Sequence, residues 1–368
     1  MYEPIVDKFK YVPESALIEL CFKCNLNCKH CGSSLNAYKK SRKGEPLSLT
    51  EFYSAIDDLK GLGGKRIGLV GGEPLLYENW EEVAKYASDR NFYVSMISNG
   101  MIIDDEMAHK IKKCGIALVA LSLDGPETYH NELRGSQMAF KNVLKAIASL
   151  KKEGVQVNII TTIMKGNLPL LPEIEKTIST KGVSFWQLQL GIPMGKLSEH
   201  MEFVIEPNQL LDVKKFILEA KQRNQIQLTI ADSIGYCSQD ELIMRNNSST
   251  NGERVYLGCM AGCKAVAIES NGDVKGCLSL QDALYSMNPS CNIFHGKFIL
   301  GTGEISDRVF NYLVDASKNS FYTLSDEMSE FFEKNHYFKK SDFDIQDFSV
   351  EIFRYFINEG VIVIHEDN

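Results

Sequence analysis

From about Ala16 to Gly191 the chain alternates short apolar, β-branched runs with longer stretches whose apolar positions recur every three or four residues. The short runs predict strands at Ala16–Leu20, Arg66–Val70, Tyr93–Ile97, Ile116–Leu123, Val155–Met164 and Val183–Leu190. The longer stretches predict helices centred near Val83, Met107, Leu144 and Ile174. Ser48-Leu-Thr-Glu51 has the form of a capping box that opens a helix reaching about Gly61. Nearly continuous apolar strands separated by helices imply a parallel sheet covered by those helices. Six such units fall short of the eight that close a full barrel. The expected fold is therefore α/β, an open partial (β/α)6 barrel, with its ligand site at the C-terminal ends of the strands.

Beyond this block the pattern predicts a helix at about Pro207–Asn224 and a strand at Ile226–Ile230. A hairpin over Ala265–Lys275 follows, turned by Asn271-Gly272. From about Gly296 the chain has no cysteine and is rich in Phe, Tyr and Asp. Helical spacing there marks Phe321–Phe332 and Phe348–Ile357, and Gly360–Ile364 reads as a terminal strand. The expected organisation is a lead at 1–14, the barrel at 15–205, a cysteine-rich region at 206–295 and a small α/β tail module at 296–368.

Composition narrows the class. Of 368 residues, 44% are hydrophobic and 24% charged, which suits a globular protein with a buried core. No run of eighteen apolar residues occurs, and the first residues lack the basic-then-apolar order of a signal peptide. A net charge of −8 argues against a broad nucleic-acid surface. The expectation is a cytoplasmic protein with neither nucleic acid nor membrane as partner. In that setting ten cysteines are better read as metal ligands or reactive thiols than as disulfides. Cys114, beside Gly115, reads as a buried small hydrophobe.

Four cysteines follow the first strand directly: Cys21, Cys24, Cys28 and Cys31. The spacing Cys24-x3-Cys28-x2-Cys31 offers three corners of an iron–sulfur cube and leaves the fourth iron open. The pairs Cys21-x2-Cys24 and Cys28-x2-Cys31 equally suit a zinc ion, and the loop alone leaves both readings open. The strand ends separate them. Strand two ends in Gly71-Gly72-Glu73-Pro74, strand three in Ser98-Asn99-Gly100 and strand four in Ser122-Leu123-Asp124-Gly125, with His130 and Arg134 downstream. These place close-approach backbone, a carboxylate and hydroxyl-binding groups where a polar molecule beside a cluster needs them. A zinc knuckle needs none of them.

In this order, Cys24-x3-Cys28-x2-Cys31, Gly-Gly-Glu-Pro and Ser-Leu-Asp-Gly resemble the motifs of radical S-adenosylmethionine (radical SAM) enzymes over about residues 15–200. The resemblance implies a [4Fe–4S] cluster on Cys24, Cys28 and Cys31, with SAM chelating the open iron through its amino and carboxylate groups. It implies reductive cleavage of SAM to a 5′-deoxyadenosyl radical that abstracts a substrate hydrogen, with flavodoxin or ferredoxin as electron donor. Carried over by position, Gly71, Gly72, Glu73 and Pro74 form the loop whose Glu73 accepts the SAM amino group. Ser98, Asn99, Ser122 and Asp124 match ribose- or methionine-contacting positions, and Arg134 matches a partner for the SAM carboxylate. His30 takes a place usually aromatic, whose backbone faces the adenine. Gln187 and Gln189 are adenine or substrate neighbours, and Cys21 lies outside the motif.

The second cysteine group resembles the auxiliary-cluster region called twitch or SPASM. Cys259, Gly272 and Cys277 fit its cysteine–glycine–cysteine signature, and Cys263 and Cys291 complete four ligands with Cys237 as a substitute. Nothing after Cys291 supplies the cysteines of a further cluster, so one auxiliary [4Fe–4S] cluster is expected. The tail faintly resembles small PqqD-like modules that bind leader peptides, and a packing extension capping the barrel is the competing reading. The resemblance implies an oxidoreductase modifying a peptide or protein, as in ribosomal peptide maturation by cross-linking, epimerisation or side-chain oxidation. A small-molecule dehydrogenase or cofactor-biosynthesis enzyme is the alternative, and a non-catalytic zinc or iron–sulfur protein the alternative of another class.

Overall fold

The computed structural model describes residues 13–32, 46–231, 234, 239–245, 261 and 264–279, and the backbone of 312–315 and 320–323. Seven parallel strands follow one another in chain order: β1 Ser15–Glu19, β2 Arg66–Val70, β3 Tyr93–Ser98, β4 Ile116–Ser122, β5 Gln156–Ile163, β6 Phe185–Leu190 and β7 Gln227–Ile230. Each pairs with its sequence neighbour, and the order never reverses. Right-handed crossovers in an unreversed order carry all the connecting helices to one face. The opposite face is left for the interior of a partial barrel. This is the expected α/β architecture.

The connecting helices are α1 Leu49–Gly61, α2 Trp80–Asp89, α3 Asp105–Lys113, α4 Glu127–Arg134, α5 Ala139–Lys152, α6 Leu171–Ser179 and α7 Leu210–Arg223; a short α8, Glu241–Arg245, follows β7. The capping box of α1 forms as its sequence predicts. The Glu51 amide donates to Ser48 Oγ at 3.4 Å, and the Ser48 amide to Glu51 Oε2 at 2.7 Å. Phe52, Ala55, Ile56 and Leu59 form one buried stripe on that helix. Against it and its neighbours lie Ile18, Leu69, Met96 and Trp186, all fully buried. The Trp186 indole N–H finds Thr161 Oγ1 at 2.8 Å, so its burial strands no donor.

Alternation along β5 and β6 divides their side chains between core and site. On β5, Val157, Ile159 and Ile163 are buried in the core, and Thr162 points the other way, into a cavity. On β6, Trp186 and Leu188 join the core while Gln189, paired in register with Thr162, lines the cavity.

Two features go beyond the expectation of six units. β7 adds a seventh parallel strand after β6. On the far edge the predicted hairpin forms as β8 Ala265–Ile268 and β9 Val274–Lys275, with β8 parallel to β1. The sheet therefore has nine strands among the described residues, in the order β7-β6-β5-β4-β3-β2-β1-β8-β9. The hairpin turn seats Gly272 at φ 89°, in the left-handed region glycine favours. The buried Lys275 ammonium pairs with the buried Glu269 carboxylate across its base.

A second unit is represented by one antiparallel pair, β10 Tyr312–Asp315 and β11 Ser320–Thr323. This corrects the helix expected from Phe321. Phe321, Tyr322 and Thr323 belong to β11, and aromatic and β-branched residue types favour a paired strand. The remainder of that predicted helix, the helix at Phe348–Ile357 and the strand at Gly360–Ile364 lie outside the described residues.

Candidate active site at the strand ends

The cysteine loop leaves β1 and turns across the C-terminal ends of the sheet. Backbone bonds fix it at each step. The Gly72 amide donates to Cys21 O at 2.8 Å, the Glu73 amide to Lys23 O at 2.7 Å, the Lys29 amide to Leu133 O at 2.9 Å and the Lys196 amide to Cys31 O at 2.9 Å. The glycine pair makes this possible. A Cβ on Gly71 would stand 2.6 Å from Cys21 O, and one on Gly72 2.4 Å from Lys23 O. The sequence suggested that the glycines admit a ligand; among the described contacts they admit the backbone of the cysteine loop. Gly72→Ala is expected to cost about 1–3 kcal/mol through overpacking against backbone. A lowered thermal midpoint checks this.

Cys24, Cys28 and Cys31 line one cavity of about 330 Å³. Its wall also contains His30, Gly71, Gly72, Glu73, Ser98, Asn99, Ser122, Arg134 and Gln189, so most of the residues singled out in sequence come together there. Pro74 and Asp124 stand behind the wall. Pro74 opens a short 3-10 turn, Pro74–Leu76, and Asp124 is fully buried. Gln187 donates to Gln189 Oε1 at 3.5 Å and is not part of the lining. Cys21 is buried and its thiol donates to Glu73 O at 3.5 Å, away from the cavity set. Cys114 is buried too, and its thiol donates to Ile111 O at 3.2 Å.

Electrostatics separate two buried carboxylates at this site, Glu73 and Asp124. Burial pushes Glu73 up to about 7, against the bonds it accepts from the Asn99 amide (2.8 Å) and Ser98 Oγ (2.8 Å). Three of its roughly four acceptor positions are taken once the Leu75 amide at 3.4 Å is included. Burial would raise Asp124 as well, but the guanidinium of Arg134, with smaller help from His30 and His130, holds it down at about 2. Arg134 donates to Asp124 Oδ2 from Nη2 at 2.6 Å and from Nε at 2.9 Å. Burial lowers His30 to about 4 and His130 to about 3, so both rings are neutral near pH 7. The Asp124 amide donates to His130 Nδ1 at 3.1 Å, which places that ring's proton on Nε2.

The sequence reading missed helix α4, which carries His130 and Arg134. Its signals were present: Pro126 precedes it, Glu127 stands in its first turn, and Gly135 ends it at φ 70°. Also unforeseen were Thr162, the loop after β6 with Ile192, Met194 and Lys196, and the pair Leu278–Ser279 after β9, all in the cavity wall. Apart from Lys196 they are apolar or small polar residues, and none of them belongs to a recognisable motif.

The donor set fits an iron–sulfur cluster. Among the described residues no three His, Cys, Asp or Glu side chains close around a point that one metal ion could fill. Cys24, Cys28 and Cys31 share one cavity wall, and thiols are the donor type that an iron–sulfur cluster takes. Of the neighbouring oxygen and nitrogen donors, Glu73 accepts three hydrogen bonds and His30 Nε2 lies 3.5 Å from Asp124 Oδ2. Burial first, and then the charges of Glu73 and Cys28, raise the Cys24 thiol, so binding there must displace a proton. Of the auxiliary set only Cys277 is described, with its Sγ accepting from the Ser279 amide at 3.4 Å. Cys237, Cys259, Cys263 and Cys291 lie outside the described residues.

A cysteine-rich loop over the C-terminal ends of a sequential parallel sheet defines a partial-barrel protein built around a sulfur-lined cavity. Residues 18–176 match the model of the Radical SAM superfamily, a class that binds a [4Fe–4S] cluster and SAM. An AdoMet-dependent heme synthase of Oleidesulfovibrio alaskensis is 27% identical over 270 residues, covering 70% of this chain and 68% of that protein. The sporulation killing factor maturation protein SkfB of Bacillus subtilis is 26% identical over 225 residues, or 60% of this chain. The crystal structure of Streptococcus suis SuiB bound to precursor peptide SuiA shares the fold, with a TM-score of 0.58 at 17% identity over 73% of this chain. The chain spans 53% of SkfB and 60% of SuiB. No helix among the described residues is long and apolar enough to cross a membrane.

Proposed function

We propose that this chain is a radical SAM enzyme that holds a [4Fe–4S] cluster on Cys24, Cys28 and Cys31 and acts on a peptide or protein. The observation that carries the reading is the single cavity joining those thiols to Glu73, Ser98, Asn99, Ser122 and Arg134. When bound, the reduced cluster supplies the electron that splits SAM and so generates the hydrogen-abstracting radical. The chain's own groups bind and orient. Ser98 and Asn99 hold Glu73 in the wall, where its remaining acceptor position suits an ammonium. Arg134 keeps two of its five N–H groups for a carboxylate once Asp124 and Cys28 are served. Ser122, Thr162 and Gln189 present neutral polar groups, and the His30 Nδ1 atom is buried with no partner among the described residues.

Two observations favour a peptide. The cavity wall includes the partly exposed Ile97 and Ile192, which suit apolar side chains. Its cations among the described residues are Arg134, already on Asp124, and Lys196, already beside Asn27 Oδ1. The longer match to heme synthases favours a second reading, a tetrapyrrole substrate, for which several carboxylates would need cationic partners. An auxiliary cluster on Cys277 with Cys259, Cys263 and Cys291 or Cys237, a leader-binding role for the tail, and a flavodoxin- or ferredoxin-type donor belong to the proposal.

Anaerobic reconstitution followed by dithionite and SAM tests it. About eight irons per chain and 5′-deoxyadenosine are expected, at four irons per cluster. Zinc in place of iron, or no cleavage by the reduced protein, overturns the reading. Mass spectrometry of an added precursor peptide and of an added iron porphyrin then separates the substrates, with change in the peptide alone expected.

A further inference from the structure

Two side chains at the strand ends direct N–H groups at cysteine sulfurs. Arg134 Nη1 lies 3.8 Å from Cys28 Sγ, and Asn99 Nδ2 lies 3.8 Å from Cys24 Sγ. Each donor is anchored on its other side. Arg134 is held through Nε and Nη2 by Asp124 Oδ2, and Asp124 is itself fixed by the Thr162 amide at 3.0 Å to Oδ1. Asn167 Nδ2 ties the Asp124 carbonyl and the Thr162 carbonyl together, at 2.8 Å each. Asn99 accepts the Met101 amide at Oδ1 (2.9 Å) and gives its amide group to Asn25 Oδ1 (2.8 Å), leaving one N–H for the sulfur. Neither donor can turn away without breaking these bonds.

A neutral thiol is a weak acceptor, and little stability follows from aiming anchored donors at one. A thiolate sulfur carrying negative charge is a far better acceptor. The geometry points to Arg134 and Asn99 as positioning residues for the ligand sulfurs of Cys28 and Cys24, with Asp124 as the anchor of Arg134. This deepens the proposed function and rests on its assignment of a cluster to Cys24, Cys28 and Cys31. Hydrogen bonds to cluster sulfurs and nearby positive charge stabilise the more negative, reduced state and raise the reduction potential. The same side chains that face the organic ligand thus set how readily the cluster takes its electron.

The experiment is anaerobic redox titration of the reconstituted full chain, following the EPR signal that a Cys24→Ala/Cys28→Ala/Cys31→Ala variant lacks. Arg134→Gln is expected to retain iron and to lower the reduced-to-oxidised ratio about tenfold at fixed potential, a shift of about 59 mV for one electron. Arg134→Lys keeps the charge but cannot serve Asp124 and Cys28 together, and a smaller shift of the same sign is expected. Asn99→Ser keeps an acceptor for the Met101 amide and removes the donor, again lowering the potential. An unchanged potential in iron-replete Arg134→Gln and Asn99→Ser overturns the inference and leaves the proposed function standing. Should these variants lose the cluster, arginine labelled with 15N in the unsubstituted protein decides: nitrogen coupling to the reduced cluster supports the inference, and its absence overturns it. A protein that assembles no cluster on those three cysteines overturns the proposed function, and this inference with it.

Discussion

Replacing Cys24, Cys28 and Cys31 together by alanine is expected to abolish 5′-deoxyadenosine formation and to remove about four irons, the content of one cluster. Cys21→Ala is expected to preserve both. The contrast follows from placement: the first three thiols line the cavity, and the fourth is buried against the carbonyls of Lys23 and Glu73. Iron and sulfide counting with product chromatography on the two variants checks it. Equal loss in both would assign the loop four protein ligands and deny the open coordination position that the reading requires.

The second large effect is on stability. Asp124→Ala is expected to cost about 3–5 kcal/mol, the usual penalty for removing one partner of a buried ion pair. Asp124 is fully buried and the Arg134 side chain is 11% exposed, so the guanidinium would be left at the cavity wall without its carboxylate. The backbone is also involved, because Asp124 Oδ1 accepts the Thr162 amide of β5. The pH dependence has a defined sign. Because folding lowers the Asp124 carboxyl from its ordinary 3.8 to about 2, its contribution is present above about pH 4 and is lost as pH falls through 2. The denaturant midpoints of parent and variant should therefore converge in acid, and a gap that persists unchanged to pH 2 would contradict this account.

Much of this was legible because the information is local. The period of β4 and β5 and the capping box of α1 are readable from a few adjacent residues, and those elements form almost where the pattern puts them. Residues 321–323 differ because their state depends on pairing with the strand at 312–315, and apolar spacing within 321–332 does not report that pairing. Arg134 shows the same division within the site. Its position after Ser-Leu-Asp-Gly marked it, but its engagement with Asp124 and Cys28 depends on the angle at which α4 returns to the cysteine loop.

The sequence by itself determined the sequential β/α winding, the three-thiol loop after the first strand and the set of polar residues at the strand ends, because each is fixed by spacing along a few turns of chain. Only the tertiary structure decided which of those groups meet. It turned the Gly71–Gly72 pair into a seat for the cysteine loop, gave Glu73 its donors, set Arg134 between Asp124 and Cys28, and brought Leu278 and Ser279 into the same cavity wall. The bond from Arg134 to Cys28 alone spans 106 positions of chain, and only the folding of the sheet fixes the distance across it.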